Sequence, residues 1–200
     1  MKLFNRNFLI GFCTGAALGM AVSLVVHQFL APSGLDPAKI AKIMLPPPFP
    51  LRGSADYTWT VRGLHGKALL MSELRGRVVF LNFWATWCVP CIAEMPSIQR
   101  LYEQVKDDAV FVCVSPEEAS VVNRFVEENG YRIPMYTFEG SPPAVFQVEG
   151  YPKTLIIGPD GRIAFAHTGT ALWDDSSSVA FIRHLSSSAT TLGPRDSSSR

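Results

Sequence analysis

The chain has 200 residues, 48% of them hydrophobic, with 18 basic and 17 acidic side chains and a formal charge of +1. That near-balance offers no basic block to neutralise phosphates and argues against a nucleic-acid partner. Four cysteines are too few for a disulfide-built scaffold, so the fold must rest on an apolar core.

Residues 1–7 carry Lys2 and Arg6, residues 8–26 hold no charge, and residues 27–31 extend the apolar run. This is long enough to cross a bilayer, with the basic end on the cytoplasmic side. Residues 1–31 are read as an uncleaved signal-anchor, because Phe29 spoils a small-x-small cleavage site before Pro32. Cys13 lies inside the run as a small membrane hydrophobe. Residues 32–50 contain Pro46-Pro47-Pro48 and read as a Pro-rich linker. Strand and helix signals alternate over residues 51–185. Strands are expected at 56–61, 68–71, 77–83, 109–114, 133–138, 153–157 and 162–167. Helices are expected at 91–106, 117–129 and from a cap at Asp174 or Asp175 to Leu185. This order implies an α/β fold with a central mixed sheet flanked by helices. Residues 186–200 are rich in serine without apolar periodicity and read as a disordered tail.

The chemistry concentrates at residues 80–96, FLNFWATWCVPCIAEMP. A buried strand runs through Trp84 and Trp87 into Cys88-Val89-Pro90-Cys91, where the pattern turns helical. Thiols three residues apart at a helix start lie close enough to form a disulfide. The first would sit near the N-cap, where free N–H groups favour a thiolate. Pro90 suits a first turn, whose N–H groups lack helical partners. Two blander readings remain beside redox chemistry. One is half of a zinc site, although neither Cys13 nor Cys113 supplies a second ligand pair. The other is an inert disulfide, which would constrain little across so short a loop.

The segment from Asn82 to Pro96 resembles the TlpA/ResA-like branch of the thioredoxin superfamily. The runs Tyr151-Pro152-Lys153-Thr154 and Gly158-Pro159-Asp160-Gly161 support the likeness. It implies a thioredoxin-like fold preceded by one transmembrane helix. It also implies a membrane-tethered thiol–disulfide oxidoreductase, of a kind that serves cytochrome c maturation. On this likeness Cys88 is the exposed attacking thiol and Cys91 the resolving thiol. Pro96 is a helix-kinking proline, Pro152 a cis-proline facing the dithiol, and Tyr151 a contact to the partner chain. Asn82 is normal for the branch, whereas Lys153-Thr154 replaces two threonines and Gly158 replaces an acid. Those departures bear on the partner surface.

Glu94 follows Cys91 by three residues on the same helix side, so its carboxylate could exchange a proton with that thiol; the bland alternative is an exposed acid. Trp87 reads as apolar docking surface and Trp84 as core, with Val89 and Pro90 shaping the site. Cys113 reads as a buried core residue. The leading function is an extracytoplasmic protein-disulfide reductase, single-pass in a bacterial membrane. Its partners are a disulfide-containing protein substrate, a membrane thiol–disulfide electron donor and the bilayer through residues 8–31. No cofactor or metal is called for. The alternative is a Cu(I) metallochaperone using the same two thiolates, with His167 as a further ligand. Nothing around Cys88 selects peroxide over protein disulfides.

Overall fold

A computed structural model describes residues 53–146 and 148–191. The signal-anchor expected over 1–31, the linker over 32–50 and the end of the tail lie outside those residues. Among the described residues no helix is long and apolar enough to cross a membrane.

Seven strands form one mixed sheet: β1 Thr60–Gly63, β2 Ala68–Leu70, β3 Val78–Phe83, β4 Ala109–Ser115, β5 Met135–Glu139, β6 Lys153–Ile157 and β7 Ile163–Thr168. Their order across the sheet is β2-β1-β5-β4-β3-β6-β7. The pairs β3–β4 and β4–β5 are parallel and the others antiparallel. Every residue of β3 is buried, which is why its sequence is a continuous apolar run instead of an alternation. Three helices follow: α1 Val89–Val105, α2 Ala119–Asn129 and α3 Ser176–Thr191. The crossovers β3–α1–β4 and β4–α2–β5 step the same way across the sheet. A common handedness therefore puts both helices on one face. There Phe80, Phe111 and Ile156 meet Ile98 and Leu101 of α1, Val122 of α2 and Ile182 of α3. The other face, with Leu81, Phe83 and Val112, is closed by Tyr57, Trp59, Met71 and Phe146.

Several boundaries differ from the sequence reading, and three of them have a visible cause. The strand expected at 56–61 starts only at Thr60. Asp56 accepts bonds from the Thr58 N–H (2.8 Å) and hydroxyl (2.7 Å), and this side-chain turn competes with strand pairing. The helix expected from Glu117 starts at Ala119, with Glu118 as its N-cap, because Glu117 is engaged elsewhere. The tail placed at 186–200 is helical as far as Thr191. Ser187 and Ser188 close their hydroxyls onto the His184 carbonyl at 2.9 and 2.8 Å, which lets serines continue a helix. Asp175 is the residue that caps α3, accepting from the N–H groups of Ser177 (2.7 Å) and Ser178 (3.1 Å). Asp174 pairs with Arg100.

Candidate active site

Strand β3 ends at Phe83, and a short loop delivers Cys88 to the start of α1. Cys88 and Cys91 form a disulfide with Cα atoms 5.2 Å apart. Cys88 is the N-cap, and its sulfur accepts the Cys91 N–H at 3.2 Å. Cys88 is buried, not the exposed thiol that the resemblance implies: it keeps 5% of its surface against 0% for Cys91, so the little access the pair has lies at Cys88. When the bond opens, the free N–H groups of the helix start lie beside Cys88 and favour its thiolate.

The Tyr151–Pro152 peptide bond is cis, and Pro152 is buried while Tyr151 is half-buried. Tyr151 meets the Trp87 ring edge-on at 5.7 Å. Trp87, Val89 and Pro90 are exposed around Cys88. Trp84 points the other way, fully buried beside Phe125. A loop after β7 binds these parts together. The Gly169 N–H donates to the Pro152 carbonyl at 2.9 Å, and the Thr170 hydroxyl donates to the Pro90 carbonyl at 3.0 Å.

Glu94 is fully buried, not the exposed acid of the blander reading. Its Oε1 accepts from Asn82 Nδ2 at 3.1 Å. Its Oε2 accepts from Trp173 Nε1 at 3.0 Å and the Ala171 N–H at 3.2 Å. Asn82 Nδ2 also donates to Thr154 Oγ1 at 2.9 Å, while Asn82 Oδ1 has no partner among the described residues. Burial pushes the Glu94 carboxyl above its usual range, and the three donors only partly oppose it. Cys113, beside Asn82 in the sheet register, is a free buried thiol whose pKa is driven far upward by burial and by the Glu94 charge. It is therefore a poor nucleophile.

A stability prediction follows for Glu94. The folded state holds its proton more tightly than the unfolded chain, so stability falls as pH rises from about 4.3, the ordinary Glu value, through the raised folded value. Glu94→Gln removes that titration. The new amide N–H can bond Asn82 Oδ1 if the Asn82 amide flips, leaving the Gln oxygen for Trp173 and Ala171. Glu94→Gln is expected to unfold at higher urea concentration than the parent at neutral pH. That advantage should vanish below pH about 4, where both side chains are neutral. Urea midpoints at several pH values measure both.

Glu117 is a site residue the sequence reading did not single out. Its carboxylate accepts from the Thr86 N–H and hydroxyl, both at 2.6 Å, and from the Ser115 hydroxyl at 3.0 Å. It thus latches the loop that carries Trp87 and Cys88. Losing these charge-assisted bonds in Glu117→Ala should lower stability by about 1–2 kcal/mol, read as a lower urea midpoint, with a smaller drop for Glu117→Gln.

His167 pairs with Thr154 across β6–β7 and packs on Phe165 and Trp173. Among the described residues, no group of three or more His, Cys, Asp or Glu side chains is placed to hold a metal.

A dithiol at the N-terminus of the helix leaving a central strand, with a cis-proline loop beside it, defines a thioredoxin-like redox protein. The chain belongs to the AhpC/TSA family, whose model matches residues 54–166. Over 120 residues it is 33% identical to the thiol-disulfide oxidoreductase ResA of Halalkalibacterium halodurans, a match covering 58% of this chain and 68% of that one. Over 121 residues it is 32% identical to the ResA of Bacillus subtilis, covering 59% and 68%. A thioredoxin-family thiol:disulfide interchange protein from Chlorobium tepidum has the same fold, with a TM-score of 0.53 at 19% identity over 69% of this chain and 97% of that one. The protein is a thiol–disulfide oxidoreductase with Cys88 and Cys91 as its C-x-x-C pair.

Proposed function

We propose that the protein reduces disulfides of extracytoplasmic proteins, with maturation of c-type cytochromes as a candidate setting. The observation that carries this is the asymmetry of the pair: Cys88 keeps a small exposure beside the exposed Trp87 and Val89, while Cys91 is sealed on the helix that also buries Glu94. The Cys88 thiolate attacks a substrate disulfide. A bond forms between Cys88 and one substrate sulfur, and the other substrate sulfur leaves as thiolate. Cys91 then passes its proton to Glu94 and attacks the Cys88 sulfur. The Cys88–Cys91 bond closes, and the second substrate sulfur leaves. Two electrons and, after protonation, two protons reach the substrate. A dithiol donor in the membrane reopens the pair. Trp87, Val89, Pro90, Tyr151 and Pro152 form the surface on which the substrate chain docks.

The reductive direction is supported by charge. Val89 supplies no cation to stabilise the Cys88 thiolate, and the Glu94 carboxylate opposes a second negative charge beside it. The closed disulfide is favoured accordingly, which makes the open pair a good electron donor. Residues 8–31 hold the protein in the bacterial cell membrane in a single pass, with the redox domain in the periplasm or at the outer surface. The test is the Cys88–Cys91 potential in a dithiothreitol or glutathione buffer. A value near the thioredoxin figure of about −270 mV is expected, and one above about −160 mV would overturn the reductase reading.

A further inference from the structure

Both donors to Glu94 Oε2 come from the loop between β7 and α3, residues 169–175. The Ala171 N–H is one, and the Trp173 indole is the other. The loop is fixed on α1 at several points. Thr170 bonds the Pro90 carbonyl, and the Trp173 N–H donates to Ser97 Oγ at 3.2 Å. Asp174 pairs with Arg100 at 2.5 Å. The Trp173 ring is 3% exposed. It stands edge-on to Phe80 at 5.2 Å and Phe165 at 6.0 Å. Packing therefore leaves the indole no freedom to point its N–H elsewhere.

We propose that Trp173 is the positioning residue for Glu94, its indole N–H fixing the carboxylate and setting how readily it takes the Cys91 proton. The proposal deepens the proton-exchange role given to Glu94 above and rests on it. An indole can only donate, and its bond to a carboxylate is stronger than to a neutral acid. Trp173 therefore favours the ionised form, against the burial that disfavours it. The Ala171 amide does the same but belongs to the backbone, so of the two donors to Oε2 the side chain at 173 is the adjustable one, with Asn82 Nδ2 serving Oε1. Other titratable or charged groups around this carboxylate and indole are the Cys88 and Cys91 thiols on α1, Cys113 on β4, His167 on β7 and the Arg100–Asp174 pair at the loop edge.

The experiment uses the full-length protein with its disulfide closed, so that Cys88 and Cys91 do not titrate. Carboxyl carbon NMR follows Glu94, and the indole N–H resonance follows Trp173. In the parent the indole resonance should move through the same midpoint as the Glu94 carboxyl. The movement should survive His167→Gln and vanish in Glu94→Gln. Trp173→Phe should raise the Glu94 midpoint by about one unit, a tenfold change in its ionisation constant. In the reduced protein, the pH profile for resolving a Cys88 mixed disulfide should shift equally, with no shift when Trp173→Phe is made in Glu94→Gln. An indole resonance indifferent to the Glu94 titration overturns the proposal, and this needs no variant at position 173. An unmoved Glu94 midpoint in folded Trp173→Phe overturns it as well. If Glu94→Gln leaves the resolution profile unchanged, the proton role fails and the proposal built on it falls too. The titration of the oxidised protein then shows separately whether Trp173 governs Glu94 ionisation.

Discussion

Replacing Cys91 with alanine is expected to abolish turnover and leave substrate proteins bound covalently to Cys88. Cys88 remains at the helix start as the cysteine of the pair that keeps some exposure, so attack on a disulfide is preserved. Release is not, because the thiol held one helical turn away is gone and an external thiol must do its work. Intramolecular attack by a well-placed group corresponds to effective concentrations far above any cellular thiol, so turnover should fall by at least about 1000-fold. The reverse variant, Cys88→Ala, should trap almost nothing, because Cys91 is 0% exposed. Non-reducing electrophoresis with mass spectrometry of the Cys91→Ala adducts reads the outcome and names the substrates. A folded Cys91→Ala protein with an alkylatable Cys88 that captures no protein would count strongly against the mechanism.

Phe80→Ala is expected to destabilise the fold more than any other of these substitutions, by about 3–5 kcal/mol. Phe80 is 0% exposed in the middle of β3. It stacks on Phe111 at 4.7 Å and meets Trp173 at 5.2 Å. Close packing on both sides leaves little room to collapse into the space vacated. Against a typical domain stability of about 5–15 kcal/mol, this removes about a fifth or more, visible as a large fall in urea midpoint. Val89→Ala, at a side chain 75% exposed, should change stability by no more than about 0.5 kcal/mol. The Phe80 site also reaches the chemistry, because a loosened Trp173 loosens the carboxylate it holds.

Local signals made β3, α1 and the dithiol legible from sequence. A continuous apolar run, a C-x-x-C pair and a following helical period all lie within residues 78–105. The C-terminal end of α2 and the start of α3 were legible for the same reason. Gly130 takes a positive φ of 68° at the end of α2, and Asp175 sits one residue before α3. Glu94 was placed on the right side of α1 by spacing alone. Its burial was not readable, since the groups that enclose it are Asn82 on β3, Thr154 beside Asn82 on β6, and Trp173 at a separation of 79 residues. Glu117 looked like an ordinary first-turn acid, a position where the helix dipole welcomes charge. Only the fold, by setting the end of β4 beside the loop after β3, gives it Thr86 as a partner. Strand β1 was placed early because Tyr57 and Trp59 are apolar. They are buried as plugs on the second face of the sheet, and the turn at Asp56 keeps them out of the strand ladder.

The chain comes into the domain along the turn between β6 and β7. The Ile163 N–H donates to the Gly53 carbonyl at 3.1 Å, the Ala55 N–H donates to the Gly161 carbonyl at 2.8 Å, and Ser54 pairs with Arg162. Strand β6 runs against β3, so that Ile157, just before this turn, lies opposite Val79, while Lys153 lies opposite Phe83. The incoming chain and the Cys88 loop therefore sit at opposite poles of the sheet, separated by a strand length of about 17–20 Å. Any tether acting through residue 53 pulls on the pole remote from the thiols. The load then falls on a hairpin turn that takes no part in sulfur exchange, and the strand ends that carry the thiols stay out of its path.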